Sequence, residues 1–271
     1  MKAIIRYPGS KWNLAEWIIQ HFPDDYEKMI YVEPFFGSGA VFFNKVPGKI
    51  ETINDLDDNV VNLFRVIRDY PDELKMMLYY TPYSRVEFDN SLLPCDDPIE
   101  KARRFVVRTT QSIGAKLGTK SGWRNQKQLK IGGSACKWGS ICDTIELAAQ
   151  RLRGDPTHLV MIEHKDALEL IHNHNNKDTL LYLDPPYVRS TRKSGRLYSN
   201  EMTDAQHLDL LDLVMESKCK IVLSGYESGL YNDALRGWNQ YMTTTHTTSA
   251  DIAIETIWTN FEPAQLQQTL F

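Results

Sequence analysis

Ile30-Tyr31-Val32-Glu33-Pro34-Phe35-Phe36-Gly37-Ser38-Gly39-Ala40 is the stretch that decides the fold. A short apolar run, Ile30–Glu33, stops at a proline and passes into a turn with two glycines, which predicts a buried strand feeding a turn that opens a helix. Glycines there let a ligand approach the backbone at the carboxyl edge of a parallel sheet, where α/β proteins bind their ligands. The third glycine of the dinucleotide pattern G-x-G-x-x-G is absent and Phe42 takes its place, so a nicotinamide cofactor is disfavoured. A second strand, Ile50–Asn54, delivers Asp55 to the same edge. A carboxylate in that position can accept hydrogen bonds from both hydroxyls of a ribose, or it can cap the next helix. Turn and acid together point to an adenosine-bearing cofactor.

Working outward, further strands are expected at Leu159–Glu163, Thr179–Leu183 and Lys220–Ser224, separated by helix-period segments, the texture of an α/β parallel sheet. Helix starts are expected at Ser10 before Leu14, at Asp143 with Glu146, and at Thr203 with Gln206. The last would place Leu208, Leu211, Val214 and Met215 on one face. Alternating runs at Trp238–Thr247 and Glu255–Phe261 predict that the chain ends in an antiparallel hairpin. Residues 1–70 and 155–271 carry the sheet texture. Between them, 71–154 is punctuated by Pro71, Pro82, Pro94 and Pro98 and reads as an inserted module, with loops over Gly114–Gly139.

The 271 residues carry 31 Lys and Arg against 35 Asp and Glu, a charge of −4, with 42% hydrophobic and 24% charged residues. That composition excludes a disordered, collagen-like or coiled-coil chain. Ten cations (Lys101, Arg103, Arg104, Arg108, Lys116, Lys120, Arg124, Lys127, Lys130 and Lys137) fall between Lys101 and Cys142 without one acid, leaving 21 cations and 35 acids elsewhere. Such a run predicts a polyanion-binding surface. Trp123, Trp138, Gln111, Asn125, Gln126 and Gln128 add groups that stack on bases or read their edges. No apolar run approaches the roughly 20 residues of a membrane span, and the N-terminus lacks the apolar core of a signal peptide, so a cytoplasmic protein is expected. Cys95, Cys136, Cys142 and Cys219 form no C-x-x-C pair and read as reduced thiols. His172 and His174 have no evident third ligand, and no metal is expected.

The chemistry is expected at Leu183-Asp184-Pro185-Pro186-Tyr187, at the end of the strand Thr179–Leu183. Two prolines remove N–H donors, so the turn offers carbonyl oxygens and the Asp184 carboxylate as a cluster of acceptors beside an aromatic face. That cluster suits an exocyclic amino group; a structural Asp-Pro turn leaves Tyr187 unexplained.

Taken together these motifs resemble those of the Dam-like, α-class DNA adenine methyltransferases. Arg6-Tyr7-Pro8-Gly9-Ser10-Lys11 resembles their aromatic-x-Gly-Gly-Lys motif, with Ser10 for the second glycine. Glu33–Phe42 resembles E-P-F-x-G-x-G-x-x-F, Asn54-Asp55 the ribose motif, and Asp184–Tyr187 the D-P-P-Y signature. The stretches Tyr198–His207, Lys220–Tyr226 and Glu255–Asn260 resemble later strands of the family.

The resemblance implies a Rossmann-like sheet, S-adenosylmethionine as cofactor, and transfer of its methyl group to N6 of an adenine flipped out of double-stranded DNA. It implies cofactor contacts from Tyr7, Lys11, Phe35, Gly37, Asp55, Asp166 and Asp184. Catalysis falls to Asp184, Pro185, Pro186 and Tyr187, with Tyr187 stacked on the base. The module 71–154 becomes the target-recognition part, with DNA contacts expected from Lys116, Lys120, Arg124, Asn125, Lys127, Arg189 and Arg192. A prokaryotic or phage protein, monomeric or weakly dimeric, with a cognate restriction endonuclease as partner, fits that activity. An RNA adenine or protein glutamine methyltransferase, or a DNA-binding protein without catalysis, are the alternatives.

Overall fold

A computed structural model describes residues 1–113, 122–125, 138, 140–191, 198–246 and 252–263. Seven strands form one sheet: β1 (Ile30–Glu33), β2 (Ile50–Asn54), β3 (Leu159–Glu163), β4 (Thr179–Leu183), β5 (Lys220–Gly225), β6 (Asn239–His246) and β7 (Ile252–Thr259). Their order is β3-β2-β1-β4-β5-β7-β6. The first five are parallel, and β7 runs antiparallel to both β5 and β6. The expected terminal hairpin is therefore present, but its second strand wedges between β5 and the first. Strand order reverses between β1 and β4, and in open α/β sheets the crevice at such a switch point is where ligands sit. Every residue of β4 is buried, which explains an unbroken apolar run in place of alternation: both faces are covered.

The helices are α1 (Ala15–Ile19), α2 (Asp58–Asp69), α3 (Pro71–Tyr79), α4 (Arg85–Asn90), α5 (Pro98–Gln111), α6 (Ile141–Arg153), α7 (Ala167–Asn173), α8 (Asp204–Met215) and α9 (Gly229–Ala234). On one face of the sheet, Tyr31, Tyr182 and Phe42 pack with Phe64 and Ile67 of α2; on the other, Leu181 and Leu183 pack with Leu210, Leu211 and Val214 of α8. From the segment read as a module, Leu74, Phe105, Val106, Ile145 and Leu152 join the first of these clusters. Helices α3, α5 and α6 thus share the core of the sheet domain.

Local expectations fared unevenly. Thr203 and Gln206 form the expected reciprocal cap, but α8 buries His207, Leu210, Leu211 and Val214, while Leu208 and Met215 are exposed. Helix α6 begins at Ile141, which puts Asp143 inside its first turn. Ser10 caps nothing; its hydroxyl lies 2.7 Å from that of Ser38. The glycine turn does not open a helix. Gly39 to Lys45 coil back through bonds such as Phe43 N to Gly39 O (3.0 Å) without a sustained ladder.

The basic run is also corrected in part. Arg103 binds Glu100 and Glu87, Arg104 binds Glu100, and Lys101 binds Asp58. Carboxylates outside the run pair with these three cations, and Arg108 lies over the Phe105 ring of its own helix, so four of the ten are engaged within the protein; Lys101 and Arg103 tie α5 to α2 and α4. Beneath the glycine turn, buried Glu51 of β2 gathers Lys45, Arg151 of α6 and His158. Arg151 also lies over the Phe42 ring at 3.9 Å, which ties α6 to the turn.

Candidate active site

The carboxyl ends of β1, β2 and β4 carry Glu33, Asn54 and Leu183, so Asp55 and Asp184 start the loops that follow. Asn54 binds these edges together: its amide donates to Pro34 O (2.9 Å) and Lys165 O (3.1 Å) and accepts from Lys165 N (2.8 Å). A cleft opens over them. Tyr7, Lys11, Phe35, Gly37, Asp55, Asp166, Asp184 and Pro186 all line it. Seven residues expected to hold one cofactor therefore meet in one cavity.

Asp55 is not the helix cap; Asp57 is, accepting from Asn59 N at 3.0 Å. Instead Asp55 Oδ2 accepts from Gly37 N at 2.7 Å and Oδ1 from Asp57 N at 2.8 Å. Burial pushes Asp55 up to about 6 against those two N–H groups. Gly37 has φ +51°, and a β-carbon there would sit 3.0 Å from the Tyr7 ring. Gly37→Ala is expected to lower stability by roughly 1–2 kcal/mol through the left-handed backbone alone. An unshifted denaturation midpoint would show that the turn relaxes around the methyl group.

Asp184 meets Lys11 at 2.9 Å, and the same ammonium donates to Gly9 O at 2.8 Å and lies 3.6 Å from Glu255. Burial opposes the Lys11 charge, but Asp184 and Glu255 outweigh it and raise the ammonium. Burial also raises Asp184 and pushes Glu255 up to about 7, both against the pull of Lys11. Tyr187 donates its hydroxyl to Glu255, with the Lys11 ammonium 4.6 Å from its ring centroid and the Tyr226 ring at 4.5 Å. Only 6% of Tyr187, the residue expected to stack on the base, is exposed. Pro185 is buried.

Asp166 caps α7, accepting from Leu168 N at 2.9 Å, and remains exposed at the cleft rim beside Ala167. Arg124 donates to Ser112 O at 3.2 Å, while Asn125 and Arg189 are exposed. Lys116, Lys120, Lys127 and Arg192 lie outside the described residues. Glu255, Glu33 and Tyr198 were not expected at the site. Glu33, which accepts from Tyr31 at 2.7 Å, is pushed up to about 8 by burial. A lone acid within the apolar strand Ile252–Thr259 was the sequence signal for Glu255.

The family model of D12 class N6 adenine-specific DNA methyltransferases matches residues 7–91 and 143–250. The chain is 24% identical over 207 residues to a type II methyltransferase, M1.LlaDCHI, of Lactococcus lactis subsp. cremoris, covering 72% of this chain and 69% of the relative. It is 22% identical over 255 residues to a DNA adenine methylase of Haemophilus influenzae, covering 87% and 83%. With well over half of its length matched and the acids of that match converging on one cleft, the chain belongs to the D12 class of N6 adenine-specific DNA methyltransferases.

Proposed function

We propose that this enzyme transfers a methyl group from S-adenosylmethionine to N6 of an adenine flipped out of double-stranded DNA. The observation that carries this reading is Asp184, held by Lys11 in the lining of a cleft that also carries Asp55 and the Gly37 turn. The donor set fits the cofactor. Asp55 keeps acceptor capacity beyond its two backbone bonds for ribose hydroxyls, Asp166 stands at the rim for an adenine amino group, and the acid-lined cleft favours a cation. When bound, S-adenosylmethionine supplies a methyl group made electrophilic by its sulfonium.

The chain's own task is to make a poor nucleophile competent. The lone pair of adenine N6 is delocalised into the ring. Acceptance of its two N–H groups by Asp184 Oδ and the Pro185 carbonyl would pull it towards sp³ geometry and aim it. A duplex base must leave the stack to reach a cleft of this depth. Arg189 and the basic stretch would hold the backbone phosphates. The family match breaks between residues 91 and 143, across that stretch, which supports a target-recognition role special to this chain. We infer a restriction endonuclease as the working partner, a reading in line with the similarity to a type II methyltransferase.

Long-read sequencing of DNA from cells expressing the protein, called for N6-methyladenine, tests the reading; absence of the mark sinks it. A triple Lys116/Lys120/Lys127→Ala variant is expected to bind every DNA sequence more weakly and to flatten the salt dependence by roughly one log–log unit per lost contact. Its cofactor affinity should stay the same. An unaltered slope would move DNA binding elsewhere, to the Arg189 side of the cleft.

A further inference from the structure

Glu255 opens a stretch that resembles a late strand of the family but was given no role in the reaction, yet it touches two residues of the site, Lys11 and Tyr187. It lies on β7, the strand wedged beside β5, and is 3% exposed. Its carboxylate accepts the Tyr187 hydroxyl and stands 3.6 Å from Lys11. Gly9 O and Asp184 take two of the ammonium directions of Lys11, and Glu255 stands 3.6 Å from the same nitrogen as a second negative neighbour. Each contact constrains the next: β7 fixes Glu255, Glu255 fixes the phenol and draws the ammonium, and the ammonium fixes Asp184.

We propose that Glu255 is a positioning residue for methyl transfer, which anchors Tyr187 beneath Lys11 and shares the lysine charge so that Asp184 faces the adenine with its negative charge intact. This rests on the functional reading above. Lys11 and Asp184 alone sum to zero charge. As the amino lone pair forms the N6–methyl bond, the departing sulfur keeps the carbon–sulfur electron pair and N6 turns cationic. It stays so until it releases one proton to the Asp184 carboxylate, which is open to the cleft. When ionised, this second carboxylate leaves the cluster one charge negative where that cation develops, in a site where such charge acts at low dielectric. Glu255 reaches no substrate atom; it acts through Lys11 and Tyr187.

The experiment compares wild type with Glu255→Gln, Tyr187→Phe and the double variant on duplex DNA bearing the site mapped for wild type. Glutamine keeps an acceptor for the phenol and removes the charge. The expected result is a kcat lowered by about 10- to 100-fold, with KM for DNA, cofactor affinity and melting temperature close to wild type. The fluorescence rise of 2-aminopurine at the target position, measured without cofactor, should persist, because extrusion of the base does not require the charge. The two single losses should not add in the double variant, since both act on one contact. A wild-type kcat in Glu255→Gln overturns the inference. So does a parallel fall in melting temperature and 2-aminopurine signal, which would make Glu255 a structural acid. Wild-type protein that marks no adenine overturns the functional reading first, and this inference with it.

Discussion

Asp184→Ala is expected to lose methyl transfer while keeping most of its DNA affinity. The carboxylate acts on an amino group rather than on phosphate, and its removal should cost roughly 3 kcal/mol or more of transition-state stabilisation, over a hundredfold in rate. The structure adds a second consequence. Lys11 would keep its hydrogen bond to Gly9 O but only the more distant Glu255 as a charge partner, and stripping one partner from a buried pair costs roughly 3–5 kcal/mol. The alanine variant should therefore also melt earlier, whereas Asp184→Asn keeps the shape and an acceptor oxygen and should fold as wild type. Single-turnover transfer of labelled methyl, read beside DNA anisotropy and a melting curve, separates the two effects. Activity of either variant within a few-fold of wild type would remove Asp184 from the chemistry.

Asp55→Ala is expected to weaken S-adenosylmethionine binding by roughly 1.5–3 kcal/mol, the range for charge-assisted hydrogen bonds. The loss has two sources. Ribose hydroxyls lose their acceptor, and Gly37 N loses the 2.7 Å bond that holds the turn against Tyr7. Gly37→Ala disturbs only the second, so the difference in cofactor affinity between the two variants, by calorimetry, isolates the first. Equal losses would reduce Asp55 to a brace for the turn.

All five parallel strands were legible in the sequence: β1, β4 and β5 are short, largely apolar runs ended by proline, an acid or glycine, as strands buried on both faces are written, while β2 and the partly exposed edge strand β3 were marked by β-branched and apolar residues ahead of an acid. The Gly37 turn, Asp55 and Asp184 were legible for the same reason: each follows directly from a strand whose end fixes its place. What failed depends on partners distant in sequence. Arg103 and Lys101 look free in a run without acids, but Glu87 and Asp58 come from other helices. The face of α8 was misjudged because a buried His207 beside Tyr231 takes a position given to an apolar residue. Glu255 escaped because its strand reaches Asp184 and Lys11 only through an insertion between β5 and β6, which no local pattern announces.

That insertion also sets an order of assembly. β6 pairs with β7 alone, and β7 is made after it, so β6 has no neighbour in the sheet until the last strand has left the ribosome. Until then β5 presents an open edge, the kind of surface on which chains pair with one another. Because β7 also carries Glu255 to Lys11, closing that edge and completing the charge cluster are one event. A growing chain can bury most of its core and still lack Glu255 beside Lys11 until synthesis has passed β7.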